Sequence, residues 1–348
     1  MAHNENTRVK IPAILHLNRL GYAYVSLKSS NWDEQNNIFP EYFFKAISRI
    51  NPKIKKEEIA RKLLEINLAL DNEDLGKAFF DMLTSTSGIR LIDFTTPENN
   101  LFHVVTELTY KNGEEEFRPD ITLLINGMPL VFIEVKKPNN REGILAERNR
   151  IDVRSANKKF RRFINISQLL VFSNNMEYDT ESIVPIQGAF YATTTYGKNS
   201  FHCFREEEAP SLEKYLSEQD EAVEDFVLKD NNLSIIKHAV ELATNKASHS
   251  PTNRILTSIC SPERLLWLLK FGFAYVETTL GYEKHIMRYP QIFATKAIGR
   301  HFDEGNTKGI IWHTQGSGKT ALAFYNVHFL TDYYRKKETI PKFYFIVD

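Results

Sequence analysis

The sequence predicts an α/β protein, and three observations carry that reading. Apolar residues recur at helical spacing as far as Leu83. From Gly88 the period changes, and short strand-like runs alternate with turn signals. From Gly309 a strand, a glycine loop and a helix follow in direct succession.

Taken in order, "RVKIPAILHLNRLGY" (8–22) reads as a short helix ended by Gly21. "IFPEYFFKAISRI" and "KKEEIARKLLEINLALDNEDLGKAFFDML" continue with helical spacing of Leu, Ile and Phe. "GIRLIDFT", "NLFHVVTELTY", "RPDITLLIN" and "LVFIEVKK" read as consecutive strands joined by hairpin turns. Residues 141–164 return to a helical pattern dense in Arg and Lys, and "SQLLVFSNN" and "GAFYATTTYG" are again strands. This first unit spans 1–210. "REEEAPSLEKYL" marks its boundary, with Pro210-Ser211 and Glu213 opening a helix, and a helical linker occupies 211–280. A third unit fills 281–348: the helix "IMRYPQIFATKAIGRHF", the strand "KGIIWHT", the loop "QGSGKT", the helix "ALAFYNVHFLTDYYRK" and the strand "KFYFIVD". Ending on a core-type strand, this unit is expected to be incomplete.

Composition narrows the class without naming it. Lys and Arg total 44 and Asp and Glu total 44, so any basic surface is local. Cys203 and Cys260 are far apart and neither sits in a CxxC, which argues against a zinc site and a disulfide framework. The polar start and the absence of a long apolar run give a soluble, cytoplasmic expectation.

The stretch "FRPDITLLINGMPLVFIEVKK" (117–137) places three charges where a buried strand wants Val or Ile. Side chains alternate along a strand, so Leu130, Phe132, Glu134 and Lys136 share one face. Where Asp120 points depends on the hairpin. A two-residue turn at Asn126-Gly127 pairs Ile125 with Met128 and turns Asp120 away from Glu134. A three-residue loop, or a bulge in either strand, sets Asp120 opposite Glu134. One of the latter is expected, because two converging carboxylates make an oxygen-rich site for Mg²⁺ and Lys136, one pleat on, can hold a phosphate or orient a water. The spacing Pro-Asp-x13-Glu-x-Lys resembles the PD-(D/E)xK nuclease superfamily. That resemblance implies a nuclease-like mixed sheet with flanking helices. The bland alternative is a solvated charge pair.

Between Arg141 and Arg162 eight Arg or Lys face three Asp or Glu. "KKFRRF", with Lys158, Lys159, Arg161 and Arg162, is either a phosphate-backbone track or a solvated charged face.

"GIIWHTQGSGKTALA" (309–323) has the context of a phosphate loop. Gly316 and Gly318 let the backbone curl around Ser317 so that N–H groups converge on an anion at a helix start. Lys319 would reach the β- and γ-phosphates of ATP and Thr320 would hold Mg²⁺. His313 replaces the first glycine of the strict pattern, and "HTQGSGKT" resembles superfamily 2 helicases and translocases. Upstream, "RYPQ" resembles their adenine-reading motif, with Gln291 as the reading amide; an ordinary exposed glutamine is the alternative.

Nuclease-type hairpin, helical linker and superfamily 2 start, in this order, resemble the motor subunit of type I restriction-modification enzymes. The likeness rests on "RPDITLLINGMPLVFIEVKKP", "LLVFSNN", "SPERLLWLL", "MRYPQIFA" and "GIIWHTQGSGKT". It implies ATP-driven translocation and cleavage of double-stranded DNA. It also implies methyltransferase and specificity subunits as partners, and S-adenosylmethionine through the methyltransferase. By the same resemblance Asp120, Glu134 and Lys136 are the nuclease residues, with Mg²⁺ on the two carboxylates, and Lys319 and Thr320 are the ATP residues. Two departures stand out. The helix after Lys136 has no QxxxY pair, and "RVKIPAILHLNRLGY" offers no glutamate. Without a Walker B strand or a second lobe, this stretch is not expected to turn ATP over. The competing functions are a translocase whose nuclease-like unit only binds DNA or docks partner subunits, and an ATPase unrelated to nucleic acid.

Overall fold

The computed structural model describes residues 5–138, 141–177, 188–208, 214–314 and 316–346. One wide turn (Asn6–Lys10) leads into α1 (Ile11–Arg19), followed by β1 (Ala23–Tyr24), α2 (Pro40–Ile50), α3 (Lys56–Ala69) and α4 (Lys77–Thr84). Then come β2 (Phe102–Thr106), β3 (Tyr110–Asn112), β4 (Glu115–Phe117), β5 (Ile121–Ile125) and β6 (Met128–Val135). After α5 (Arg141–Ala156) and α6 (Arg161–Ile166) the sheet resumes with β7 (Leu169–Ser173), β8 (Ala189–Ala192) and β9 (His202–Cys203). The fold is α/β: a seven-stranded mixed sheet in the order β1-β2-β5-β6-β7-β8-β9, with helices packed on it. Strands β3 and β4 form a separate ribbon.

β6 is buried along its whole length, and its two faces feed different cores. Val131, Ile133 and Val135 pack with α1 and the later helices in the larger cluster. Phe132 packs with Phe117, Ile151, Phe163 and Phe172 in the other. Coverage on both faces is why the run reads as continuously apolar, the pattern of a central strand.

The hairpin combines a two-residue turn with a bulge. Ile125 pairs with Met128 across Asn126 (φ 54°) and Gly127 (φ 78°), the doubly left-handed turn that Asn-Gly favours. Leu124 then pairs with Pro129 but Leu123 with Val131, so Leu130 is the extra residue. Ile121 lies against Ile133, and continuing that register by one residue sets Asp120, just before β5, opposite Glu134. Gly127 is obligatory twice over: its φ is left-handed, and a Cβ there would stand 2.6 Å from the Phe39 carbonyl oxygen.

Several expectations are corrected. "GIRLIDFT" is a buried loop, because asparagine side chains take the place of a partner strand. Asn51 pairs with both backbone groups of Arg90 (3.0 and 2.9 Å), Asn100 accepts from Asp93 N (2.9 Å), and Asn126 donates to Leu91 O (2.8 Å). The helix expected over 141–164 breaks at Asn157, whose side chain accepts from Lys159 N at 3.0 Å and starts a new turn.

The expected helical linker is helical in α7 (Glu221–Asp230), α8 (Val240–Asn245), α9 (Pro251–Cys260) and α10 (Pro262–Phe271), but ends in the hairpin β10 (Phe273–Thr278) and β11 (Gly281–Ile286). Val227, Leu242, Leu256 and Leu265 share the core of α1, so these helices complete the first unit's core. The Pro210-Ser211 and Glu213 helix start lies outside the described residues.

In the third unit α11 (Tyr289–Asp303) and α12 (Lys319–Arg335) form as expected. The runs "KGIIWHT" and "KFYFI" do not form strands: neither has a ladder partner among the described residues, and Ile310, Trp312 and Ile346 are at least 90% exposed (92%, 90% and 97%). An isolated extended run cannot satisfy its own backbone. No described helix is long and apolar enough to cross a membrane.

Candidate active site

The bulge at Leu130 does in space what the plain turn cannot. Asp120, at the entrance to β5, accepts a hydrogen bond from Val135 N at 2.9 Å, which clamps its carboxylate onto the end of β6. Glu134 points from the same face. Lys136 continues the parallel pairing with β7 through its own N–H, which donates to Ser173 O at 2.8 Å. Its ammonium lies 3.0 Å from Glu134 Oε1 and 3.7 Å from Asp120 Oδ2.

Two further carboxylates, unforeseen from the sequence, complete the ring. Glu147 of α5 is 3.7 Å from the Lys136 ammonium, and Glu5, at the start of the first helical turn, is 3.9 Å from it. The expectation that the first helix offers no acid is therefore corrected: helical structure begins before Arg8 and carries Glu5 to the site. For Glu147 a signal existed. Glu147, Arg150 and Arg154 fall at i, i+3 and i+7, one helix face, and Arg150 pairs with Glu147. Glu5 left no such trace in a polar start.

The electrostatics are those of crowded negative charge. Glu134 is pushed up to about 8, first by burial and then by the Asp120 charge, which together outweigh the attraction of Lys136. Glu134 Oε2 is buried and has no hydrogen-bond partner. Burial by itself would lower the Lys136 ammonium, but Glu134, Asp120, Glu5 and Glu147 reverse this and hold it above the ordinary lysine range. Glu5 is raised by burial, against the pull of Lys136.

The sequence-expected nucleotide residues also come together. Gly316 (φ 76°) and Gly318 (φ 85°) are left-handed, and Gly318 precedes α12 directly. Ser317 Oγ donates to Thr314 O at 2.7 Å, shaping the loop. Lys319 lies over the loop's own carbonyls, 3.5 Å from His313 O and 3.3 Å from Thr314 O, and Thr320 is exposed at the helix start. Gln291 is placed differently from the exposed reader envisaged. It is 3% exposed, accepts from Arg288 N at 2.8 Å and donates to Gly318 O at 2.9 Å. It caps α11 and fastens that helix to the glycine loop.

The four expected DNA-contact cations are already engaged. Lys159 pairs with Glu115 at 2.7 Å, Arg162 with Asp71 at 2.7 Å, Arg161 with Glu73, and Lys158 lies 4.0 Å from Glu73. Arg161 also donates to Asp71 O at 3.0 Å. "KKFRRF" thus ties the α3–α4 connection and β4 to the corner before α6.

These features define a class: an α/β protein with a carboxylate–lysine site at the end of two central strands, followed by a glycine loop at a helix start. The chain belongs to the family of type I restriction enzyme R proteins, whose N-terminal model matches residues 2–180. Residues 284–348 match the family described as type III restriction enzyme, res subunit. Among curated relatives, the chain is 26% identical to the "Putative type I restriction enzyme MjaIXP endonuclease subunit" of Methanocaldococcus jannaschii, over 92% of this chain and 31% of that protein. It is 25% identical to the MjaVIIP counterpart of the same organism, over 74% of this chain and 21% of that one. It is 24% identical to the type I restriction enzyme HindI endonuclease subunit of Haemophilus influenzae, over 90% and 28%. The chain therefore spans a third or less of the length of these relatives.

Proposed function

We propose that the chain carries the DNA-cleaving site and the phosphate loop of an ATP-dependent type I restriction endonuclease, on a PD-(D/E)xK nuclease-like sheet. The observation supporting this best is the Leu130 bulge, which spends one residue of a central strand to bring Asp120 opposite Glu134. A structural hairpin has no use for a buried carboxylate set beside a half-buried one.

Among the described residues no three carboxylate, imidazole or thiolate groups close into a ready cage. The donor set nevertheless suits Mg²⁺: hard oxygens on two strands, one of them, Glu134 Oε2, buried and without a partner. Asp120 and Glu134 would hold the ion, which when bound supplies Lewis-acid polarisation of a phosphodiester and a more acidic water. To hold the ion Glu134 would have to be a carboxylate, so binding would be coupled to loss of the proton that its burial favours. Lys136 then exchanges carboxylates for a phosphate oxygen or the attacking water. Glu5 and Glu147 keep its ammonium charged and aimed. In the third unit Gly316, Ser317 and Gly318 offer backbone N–H groups to the phosphates of ATP. Lys319 swings off its carbonyls to meet them, and Thr320 provides the hydroxyl for the accompanying Mg²⁺. Translocation of double-stranded DNA is work of the whole restriction subunit, acting in the cytoplasm with methyltransferase and specificity subunits. S-adenosylmethionine enters through the methyltransferase.

A second reading, a non-cleaving DNA-binding or docking module, draws support from Lys136 already neutralising the carboxylates. Cleavage separates the two. The full subunit, assembled with methyltransferase and specificity partners, is expected to cut plasmid DNA with Mg²⁺ and ATP, and Glu134→Ala to abolish cutting while ATP hydrolysis persists. Undiminished cutting by Glu134→Ala eliminates the site.

A further inference from the structure

Two arginines of α5 are held differently from the other cations of the basic segment. Arg150, Arg161 and Arg162 each pair with a carboxylate. Arg148 lies instead over the ring of Phe201, at 5.0 Å from its centre, and Arg154 over the ring of Phe117, at 4.5 Å. Neither guanidinium makes a hydrogen bond or an ion pair with any described residue. Both side chains are half-buried. A guanidinium has five donors, and an aromatic face stabilises its plane while leaving the N–H edge unused. Donors that no described residue engages, on side chains still open to solvent, are available to a ligand that supplies acceptors.

The Phe201 platform stands one ring from the carboxylates and the Phe117 platform two. Phe201 packs edge-on to Phe172 at 4.9 Å, and Phe172 is the residue paired with Glu134 across β6 and β7. Phe117 packs on Phe163 at 4.9 Å, and Phe163 on Phe132, which shares the Glu134 face of β6. Arg154 also feels the charges of Glu134, Glu147 and Asp120, though burial governs its own balance. Each arginine thus lies over a ring of the aromatic cluster that backs Glu134, with no hydrogen-bond or ion-pair partner among the described residues.

We infer that Arg148 and Arg154 receive the phosphate backbone of duplex DNA beside the Asp120–Glu134 site, while the cations of "KKFRRF" serve the fold. The inference rests on the reading of that site as DNA-cleaving. A planar guanidinium fixed on an aromatic ring presents two parallel N–H groups to a phosphate, a geometry no lysine reproduces.

The test is anisotropy titration of a labelled 30-base-pair duplex with the 348-residue chain in EDTA, at several salt concentrations. Each lost phosphate contact lowers the slope of log affinity against log salt by roughly one. Arg148→Gln/Arg154→Gln is expected to lower the slope by about two and to weaken binding about tenfold or more, with the urea midpoint little changed. Arg148→Lys/Arg154→Lys restores most of the slope. Neutralising Lys158, Lys159, Arg161 and Arg162 together lowers the urea midpoint and leaves the slope. An unchanged slope in Arg148→Gln/Arg154→Gln, with or without a fall in the urea midpoint, overturns the assignment of these arginines alone. Absence of duplex binding by the unaltered chain overturns the DNA reading beneath it.

Discussion

Replacing Glu134 with glutamine should stabilise the metal-free protein while destroying its proposed activity. The carboxyl is pushed up to about 8 in the fold and titrates near 4.5 when exposed. The sign follows from linkage. A carboxyl whose folded value is raised favours the native state fully below about 4.5, and that contribution is lost as pH rises through the folded value. At pH 7 the gap amounts to 2.5 units, or roughly 3 kcal/mol at about 1.4 kcal/mol per unit. Part is returned, because the glutamine cannot attract Lys136 as the carboxylate does; Asp120, Glu147 and Glu5 still hold that ammonium. The net gain expected for Glu134→Gln is therefore about 1–3 kcal/mol at pH 7–9, shrinking towards zero at pH 5. Urea denaturation of both proteins in EDTA at pH 5, 7 and 9, followed by tryptophan fluorescence and circular dichroism, measures it. A difference that does not grow with pH, or a variant weaker at every pH, would refute the argument, because Glu134 would then be an ordinary partner of Lys136.

Gly127→Ala should cost at least about 2 kcal/mol, since it forces a left-handed alanine and drives a methyl group into the Phe39 and Phe43 backbone; a urea midpoint within error of the parent would show that the turn adapts. His16 and His103 are held neutral by burial, at about 3 and about 4. As pH falls below the ordinary histidine value the unfolded chain takes up these protons first, so stability should drop by up to about 1.4 kcal/mol per unit for each until the folded values are reached. His16→Gln/His103→Gln should flatten that acid limb, and an unchanged limb would argue that other groups set it. Gly318→Ala should weaken binding of a fluorescent ATP analogue at least tenfold, because its Cβ would stand 2.5 Å from Gln291 Nε2 and its φ is left-handed; intact affinity would detach Gln291 from the loop's function.

Local chemistry was legible in residue types. Asn126-Gly127 announces its turn, because the combination tolerates two left-handed residues. The glycine loop is readable for the same reason, since Gly316 and Gly318 mark backbone shapes that side chains resist. Long helices showed in their period, and β6 showed in being apolar on both sides. Strand existence was less legible: "GIRLIDFT" and "KGIIWHT" have strand composition, but a strand is made by a partner, and three asparagines replaced it in one case while no ladder forms in the other. For "KKFRRF" the sequence shows charge without showing what faces it; its partners Asp71, Glu73 and Glu115 lie far off in the chain.

What the sequence determined alone was the inventory and its spacing: Asp120, Glu134 and Lys136 on two adjacent strands, and a glycine loop before a helix. It could not choose between a plain register and a bulged one, because both satisfy the same alternation and differ only by whether Leu130 is counted in the ladder. Tertiary packing made that choice. A one-residue slip moves every later side chain to the opposite face, and the core settles the slip by requiring Phe132 among Ile151 of α5, Phe163 of α6 and the strand aromatics Phe117 and Phe172, and Ile133 against α1. The same packing brought Glu5 and Glu147 from distant helices, which no local pattern could have joined to the strand pair.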